Sequence, residues 1–169
     1  MNLKEEILRE HSKAQVMRIV AYIGVDSERF DDAMKLFLEG DYRVTQRISW
    51  VVSHCASVHP WLIMPYLESM WQNLLQNPNL HNAVKRNTVR ILQFVEIPEH
   101  LQGLVAEVCF KYLGDPQIPV AIRAFSMTVL AKIAKQHPDL HEELKMIVED
   151  QLPYQSPAFV SRAKQILKS

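Results

Sequence analysis

The sequence predicts an all-α fold built from repeated pairs of helices. Three observations support this prediction. The chain has only four glycines among 169 residues and 48% hydrophobic residues, which suits a helical protein with a core. Prolines divide it at nearly regular intervals, and apolar residues recur at the spacing of one helix face. Because a chain of this length can bury about two thirds of its surface on folding, we expect one domain over residues 1–169.

The proline interval sets the length of the repeat. The segments "VHPWL", "EIPEHL" and "QHPDL" place Pro60, Pro98 and Pro138 in sequence steps of 38 and 40 residues, a period typical of stacked two-helix units. One unit earlier, "VDSERF" occupies the corresponding place, with Ser27 as the expected N-cap. The predicted organisation is an N-terminal cap over 1–26 and repeats at about 27–58, 59–96, 97–137 and 138–169.

The first helix of each unit carries an apolar stripe. Three columns, four residues apart along each helix, contain only apolar or aromatic residues, so they form one face. This pattern predicts the buried side of the first helices. The columns are Phe30, Tyr66, Leu104 and Leu144; Met34, Met70, Val108 and Val148; and Leu38, Leu74, Tyr112 and Leu152.

The second helices align on an arginine. The tripeptides "TQR", "VKR", "AIR" and "VSR" place Arg47, Arg86, Arg123 and Arg162 in equivalent positions. An apolar residue stands three positions before each arginine. We predict that these apolar residues point into the core, and they are Val44, Ala83, Val120 and Phe159. The segment "NAVKRNTVRILQFVEIPEHL" further predicts a helix from residue 82 that stops at Ile97–Pro98.

These motifs resemble the HEAT-like, armadillo-related α-solenoids. The resemblance rests on the proline that opens a first helix, on turns with an aspartate such as "EGDYRVTQR" and "LGDPQIPVAIR", and on the arginine early in the second helix. It covers residues 27–169, and residues 3–24 form a capping helix and half-repeat. The resemblance implies a right-handed α-solenoid of about four two-helix repeats, in which arginines pair with turn aspartates. This ladder of aspartate–arginine pairs is incomplete in two units, where Asn77, Asn79 and Ser156 replace the aspartate.

Signatures of catalysis and of metal binding are missing from the sequence. It has no phosphate-binding glycine loop, no HExxH and no GxSxG. His137 and His141 are the closest approach to a metal pair, but Pro138 places His137 before the helix. Both Gly40 and Gly114 follow helices and are interpreted as C-caps. We therefore predict a protein that is not an enzyme and that has no cofactor and no metal.

Charge is divided between the two sets of helices. The predicted first helices, at 27–39, 60–76, 98–113 and 138–152, contain four Lys and Arg against twelve Asp and Glu. The second helices, at 42–58, 79–96, 117–137 and 156–169, contain eleven against one, and that one acid is Glu96. A one-sided positive field attracts anionic partners without specifying them. The structural alternative is that the four aligned arginines serve internal aspartates or carbonyls.

Two functions follow from this surface. The first is a non-enzymatic interaction or scaffold module whose basic second helices bind an acidic protein or peptide. The alternative is nucleic-acid binding, because some small bacterial HEAT-like solenoids are alkylpurine DNA glycosylases, a relation that rests on analogy. The predicted partner-binding residues are Arg43, Arg47, Trp50, His54, Lys85, Arg86, Arg90 and Arg123.

Trp50 is the expected anchor of this surface. Its repeat counterparts are Val89, Ser126 and Gln165, a column that becomes polar and is therefore expected to face a groove. Spacings of four, three and four place it on one stripe with Arg43, Arg47 and His54, and Trp and Arg dominate many interfaces. The alternative is that Trp50 packs against the N-terminal half-repeat.

The remaining features predict a cytoplasmic protein that does not enter a membrane. The start, "MNLKEEILREH", lacks the apolar region of a secretory signal. Cys55 and Cys109 have no metal-binding spacing, so we expect two reduced, partly buried thiols. Residues 48–67 carry no Asp, Glu, Lys or Arg, but two prolines interrupt them. We interpret that stretch as a helix end, a turn and a helix start.

Overall fold

The described part of the chain is helical throughout. A computed structural model describes residues 1–168 and shows ten α-helices and three short 3₁₀ segments, with no β-strand in that range. Ser169, the end of the predicted fourth repeat, lies outside the described residues. The helices are α1 (Leu3–Arg9), α2 (Lys13–Ile23), α3 (Ser27–Glu39), α4 (Tyr42–Val58), α5 (Leu67–Gln76), α6 (Asn82–Ile91), α7 (Glu99–Gly114), α8 (Val120–Ala134), α9 (Pro138–Gln151) and α10 (Pro157–Leu167); the 3₁₀ segments are Pro60–Leu62, Met64–Tyr66 and Leu152–Tyr154.

Polar side chains begin several of the helices. Asn2, Ser12, Asp41 and Ser156 each accept a hydrogen bond from a main-chain N–H in the first turn of α1, α2, α4 and α10, as good N-caps do. In α3 the N-cap is Asp26, which accepts from the N–H groups of residues 28 and 29. The prediction of Ser27 as the cap is therefore wrong by one residue, because the carboxylate reaches two donors.

The chain forms two compact units, of which the first spans Met1–Val95. Here α4 is the central helix, and it contacts α1, α2, α3 and α6. Its inward positions are fully buried aliphatic residues such as Ile48, Val51 and Val52. The helix is surrounded because α1 and α2 pack against it in addition to α3 and α6.

The second unit spans Glu96–Ser169. Its central helix is α8, which packs against α7, α9 and α10. This contact pattern explains why the sequence of α8 is apolar on most sides: Ile122, Met127, Val129, Leu130 and Ile133 are all buried.

The apolar columns of the first helices are confirmed most clearly in the middle. Met34, Met70, Val108 and Val148 are at most 5% exposed. The two outer columns are buried less evenly, because they lie toward the helix ends. In those columns Phe30, Leu74, Tyr112 and Leu144 are buried, and Leu38, Tyr66, Leu104 and Leu152 are partly buried.

Several predicted helix ends are wrong. Helix α6 ends at Ile91, six residues before Ile97, and a turn follows in which Gln93 N–H donates to the Arg90 carbonyl. Pro98 occupies the N-cap position of α7 rather than its first turn. Gly40 caps α3 as predicted, whereas Gly114 is the last residue of α7, with Asp115 as its cap.

The burial pattern also corrects the register of the second helices. In α4 the core positions are Val44 and the residues 4, 7 and 8 positions later, and the same spacing starts at Val84 in α6 and at Ile122 in α8. Val120, which the predicted register places in the core, is 41% exposed. Arg86 and Arg123 are therefore not equivalent to Arg47. Aligning the arginines moved these helices out of register by one residue in α6 and by two in α8.

Candidate functional site

Helix α4 and two of its neighbouring helices carry cations without acids, whereas its other neighbours, α1 and α3, contain Glu or Asp. Helices α2, α4 and α6 contain no Asp or Glu. Three of their cations, Lys13, Arg43 and Arg86, are exposed, and Arg90 and His54 are partly exposed. We define these five residues together with Trp50 as the basic face. Lys13 is a member that the sequence prediction missed, because α2 was assigned only to the N-terminal cap.

Cross-helix hydrogen bonds hold the basic face together. Arg90 Nη1 donates to Ser53 Oγ over 2.8 Å, and Asn87 Nδ2 donates to Ser49 Oγ over 3.2 Å. The Arg90 guanidinium also lies 5.6 Å from the centre of the Phe94 ring. These contacts fix α6 against α4. Arg86 stands one helical turn before Arg90 and so on the same side of α6.

The electrostatics show that the cations are close enough to repel one another. Burial lowers the pKa of His54 below its ordinary value, and the positive charges of Arg90 and Lys13 lower it further. The pKa of Arg90 is lowered by burial and then by Arg86. Both shifts oppose additional positive charge. Burial and the cations of two neighbouring helices therefore all favour the neutral form of the His54 imidazole.

Trp50 combines the two alternatives considered from the sequence. Its ring meets the His11 ring edge-on with centroids 6.0 Å apart, and the centroid of the His54 ring lies 6.1 Å away. The side chain is partly buried, so it packs on the N-terminal segment and still presents surface to solvent. The predicted counterparts Val89 and Ser126 are fully buried; the corrected register places Arg90 and Thr128 there instead.

Two predicted site residues of the first unit are engaged inside the fold. Arg47 Nη1 donates to the carbonyls of Ile7 and Leu8, over 3.2 and 3.0 Å, and so satisfies the C-terminal end of α1. Lys85 is only 9% exposed, and its Nζ donates to the Pro78 carbonyl over 2.7 Å.

Arg123 in the second unit is engaged still more fully. It is 5% exposed, and its Nε donates to the Leu113 carbonyl over 3.3 Å. Its Nη1 and Nη2 donate to the side-chain oxygens of Gln155 and Gln151, over 3.0 and 2.5 Å. The guanidinium also lies 5.2 Å from the Phe159 ring centre. Burial lowers the pKa of Arg123, and Asp115 opposes that shift.

The expected ladder of aspartate–arginine pairs takes a different form. Asp41 caps α4 and pairs with Lys4 over 3.8 Å, and Asp115 accepts from the Gln117 N–H over 2.8 Å. Both carboxylates thus bind main-chain donors in their own turns. Arg162 Nη1 instead donates to the Thr128 hydroxyl over 2.8 Å. Arg47, Arg123 and Arg162 therefore do have internal contacts, which include carbonyls, amide oxygens and a hydroxyl as acceptors.

The corrected register reveals a position that the sequence prediction missed. Thr45, Lys85 and Arg123 occupy equivalent places in α4, α6 and α8, and each donates to a main-chain carbonyl of the segment before its helix. The acceptors are Gly40, Pro78 and Leu113, at 3.0, 2.7 and 3.3 Å. Three different side chains perform the same task, so residue identity alone could not have shown it.

A cleft of the first unit has no residue of the basic face in its lining. It is a cleft of about 560 Å³ at the start of α4 and in the loop before α6, and its lining includes Tyr42, Asn73, Asn77 and His81. The Tyr42 and His81 rings meet edge-on at 5.0 Å. None of the described residues around it is Asp, Glu, Lys or Arg. The cleft therefore offers no charge to an acidic partner.

The remaining candidate groups have local structural contacts. His137 Nε2 lies 2.9 Å from Gln102 Oε1 in the second unit. Within residues 1–168, no three side chains of the His, Cys, Asp and Glu types are grouped as metal ligands would be. Cys55 and Cys109 are free and buried, and burial raises the pKa of each thiol to about 12.

Over residues 1–168, no helix combines the length and the apolar character needed to cross a membrane.

Comparison with known families agrees with a fold of helical repeats. Curated proteins and solved structures give no match to this chain. The family model that describes the HEAT repeat domain matches residues 3–169, which is nearly the whole length and includes α1 and α2. The resemblance predicted from the proline and turn motifs is thereby confirmed, and the chain belongs to the HEAT repeat domain family.

Proposed function

We propose that this chain is a non-enzymatic interaction module whose basic face binds an acidic segment of a partner protein. HEAT repeats generally mediate contacts between proteins, and the family is typically a scaffold without catalytic activity. One observation carries the finer proposal: Lys13, His54, Arg86 and Arg90 act on one another across α2, α4 and α6, helices that contain no carboxylate, and Arg90 is hydrogen-bonded to α4. The other cation of α2, Arg18, pairs with Glu6 of α1.

The energetic argument is that an anion relieves an existing repulsion. Arg86 acts on Arg90, and Arg90 acts on His54, each in the direction that disfavours positive charge. A carboxylate placed among them interacts favourably with every cation at once, because opposite charge nearby stabilises the charged forms. Trp50 beside them supplies apolar area, and Trp and Arg are the residue types that most often dominate interface energy.

Three of the predicted site residues are not part of this proposal. Arg47, Lys85 and Arg123 already donate to carbonyls or amides of the fold. Withdrawing those donors would remove hydrogen bonds from part-buried or buried acceptors, at up to about 1–3 kcal/mol for an acceptor that is left unsatisfied. The proposed surface therefore keeps Arg43, Trp50, His54, Arg86 and Arg90 from the sequence prediction and adds Lys13.

The wider setting of the module also belongs to the proposal. The sequence period supports about four repeats wound as a right-handed solenoid in one domain, with residues 1–26 as the cap. The two free, buried cysteines support a reducing compartment such as the cytoplasm. No step of the proposed function needs a cofactor, a metal or a membrane.

The test is a titration of a fluorescent acidic peptide, containing alternating Glu and Ser, followed by anisotropy. We expect Arg86→Gln to weaken binding about tenfold, equal to about 1.4 kcal/mol. Lys145→Gln removes one exposed positive charge from α9, outside the basic face, and should leave binding unchanged. Equal losses in the two variants would indicate a response to net charge alone and would overturn the proposal.

Nucleic acid, the alternative from the sequence analysis, is tested in the same assay. No contact in the structure favours it over an acidic peptide, and α4, α6, α8 and α10 carry no Asp or Glu that could act as the carboxylate of a glycosylase. A duplex oligonucleotide serves as competitor. Displacement of the peptide at lower concentration, with the steep salt dependence of phosphate contacts, would favour the nucleic-acid function.

A further inference from the structure

We propose that the segment recognised by the basic face carries a phosphorylated serine or threonine. This inference rests on the proposed function and specifies its partner. The observation behind it is the convergence of cations from α2, α4 and α6, three helices that contain no acid. Arg90 of α6 donates to Ser53, the residue before His54 on α4. The His11 ring, two residues before Lys13 of α2, meets the Trp50 ring, which lies one turn before His54.

The arrangement of donors suits a phosphate better than a carboxylate. A carboxylate is planar and is satisfied by one guanidinium that donates to its two oxygens. A phosphate monoester carries three acceptor oxygens and a charge of about −1.5 to −2 at pH 7, so it accepts from several directions. Arg86 and Arg90 approach from α6 and Lys13 from α2, which gives donors on more than one side.

Arg90 is positioned to donate to such a group. Of the five N–H groups of a guanidinium, one binds Ser53 Oγ, and the Phe94 ring packs near the guanidinium carbon. These contacts fix the plane of the guanidinium and leave other N–H groups for a ligand. A preoriented arginine loses less conformational freedom on binding than a mobile one.

His54 adds a donor that responds to the ligand. The imidazole lies next to Trp50 and is influenced by Arg90 and Lys13. A dianion brought among these groups favours the protonated ring, which then donates from both nitrogens.

The aromatic residues at the same face distinguish a peptide from free phosphate. Trp50 is partly buried beside His54, and Phe94 is 39% exposed beside Arg90. Inorganic phosphate has no apolar part to cover these rings, whereas the side chains that flank a phosphoserine do. The occupant we propose is therefore a phosphorylated segment of a protein.

The experiment uses three fluorescent peptides of one neutral sequence, with Ser, Glu or phosphoserine at the centre. We expect the phosphoserine peptide to bind at least tenfold more tightly than the Glu peptide, and the Ser peptide to bind least. Arg90→Lys keeps the charge but loses the guanidinium, and it should remove most of the preference for phosphoserine over Glu. Lys145→Gln is the control. Urea melts of each variant show that it is folded, and if Arg90→Lys is unstable then Arg86→Lys replaces it.

Each outcome decides between the claims. Equal binding of the Glu and phosphoserine peptides overturns the phosphate inference and leaves the acidic-partner proposal standing. Failure of both peptides overturns both claims. Inorganic phosphate alone is expected to compete only at far higher concentration than the phosphopeptide, and equal potency would show that the peptide contributes nothing and would overturn the inference.

Discussion

Arg86 of α6 and Arg123 of α8 differ in burial and in internal contacts, although they end the similar tripeptides "VKR" and "AIR". Arg86 in the first unit is exposed. Arg123 in the second unit is 5% exposed and donates to the Leu113 carbonyl and to two glutamine side chains. One residue type at the start of a second helix thus forms part of a surface in one unit and part of the interior in the other.

The cause of the difference is a single helical position. In α6 the place equivalent to Arg123 is taken by Lys85, whose ammonium binds the Pro78 carbonyl. Arg86 follows it by one residue and therefore points about 100° further around the helix. A count of positive charges cannot separate these cases. The two arginines differ because Arg123 stands at the helical position that donates to a main-chain carbonyl of the preceding segment, and Arg86 does not.

The largest loss of stability is expected from truncating a side chain in the buried apolar stripe of the first helices. Met70 on α5 is 1% exposed, and replacing it by Ala should lower the free energy of unfolding by about 2–5 kcal/mol, as other buried truncations do. Met146→Ala on α9, where the side chain is 70% exposed, is the matched control and should change little. Urea denaturation checks both, and a loss below about 0.5 kcal/mol for Met70→Ala would contradict the core assignment.

The next largest loss of stability is expected at Arg123, in contrast with Arg86. Arg123→Met keeps the length of the side chain but removes the donor to two glutamine oxygens and one of the two side-chain donors to the Leu113 carbonyl, to which Gln151 Nε2 also donates, so we expect a loss of about 2–4 kcal/mol. Arg86→Met should change the free energy of unfolding by less than about 0.5 kcal/mol. Similar losses in urea melts of the two variants would show that Arg86 has an internal role.

The sequence predicted the helix pairs well because apolar periodicity and prolines act locally. The middle column from Met34 to Val148 is buried as expected. The sequence predicted the register of the second helices poorly. There the arginine was taken as the fixed point, whereas the fixed quantity is a donor to the preceding turn, which Thr45, Lys85 and Arg123 all provide. Spacing cannot show an equivalence between such different side chains.

The candidate site was predictable in part for a similar reason. The absence of acids from α4 and α6 is visible in the sequence, and so is the stripe of Arg43, Trp50 and His54. Which cations are already engaged depends on contacts between distant segments, such as Arg47 with the carbonyls of α1. The contribution of Lys13 likewise depends on how α2 packs against α4.

Trp50 lies at the boundary between surface and core. Its ring contacts His11 and His54 but is only partly buried, so Trp50→Ala should cost about 1–3 kcal/mol, less than the 3–5 kcal/mol of a fully buried tryptophan. Trp61→Ala, at a side chain that is 58% exposed, is the control. A loss above about 3 kcal/mol in urea would assign Trp50 to the core and remove it from the proposed surface.

The smallest expected effect tests whether the cations of the basic face are close enough to act on one another in solution. Burial, Arg90 and Lys13 lower the pKa of His54 in the folded chain, so the unfolded chain binds a proton at this residue more readily. As the pH falls through the ordinary histidine pKa of about 6.5 toward the lower folded value, the unfolded state gains protons first, and stability decreases. Above about pH 7 the residue is neutral in both states and contributes no slope.

We therefore expect His54→Gln to flatten the dependence of the free energy of unfolding on pH between about 5 and 7, measured by urea melts, with no change in slope near pH 8. Arg90→Met should flatten it partly, because burial remains the largest cause of the shift. An unchanged slope in His54→Gln would show that this imidazole is solvated normally, and the electrostatic argument for the basic face would lose its main support.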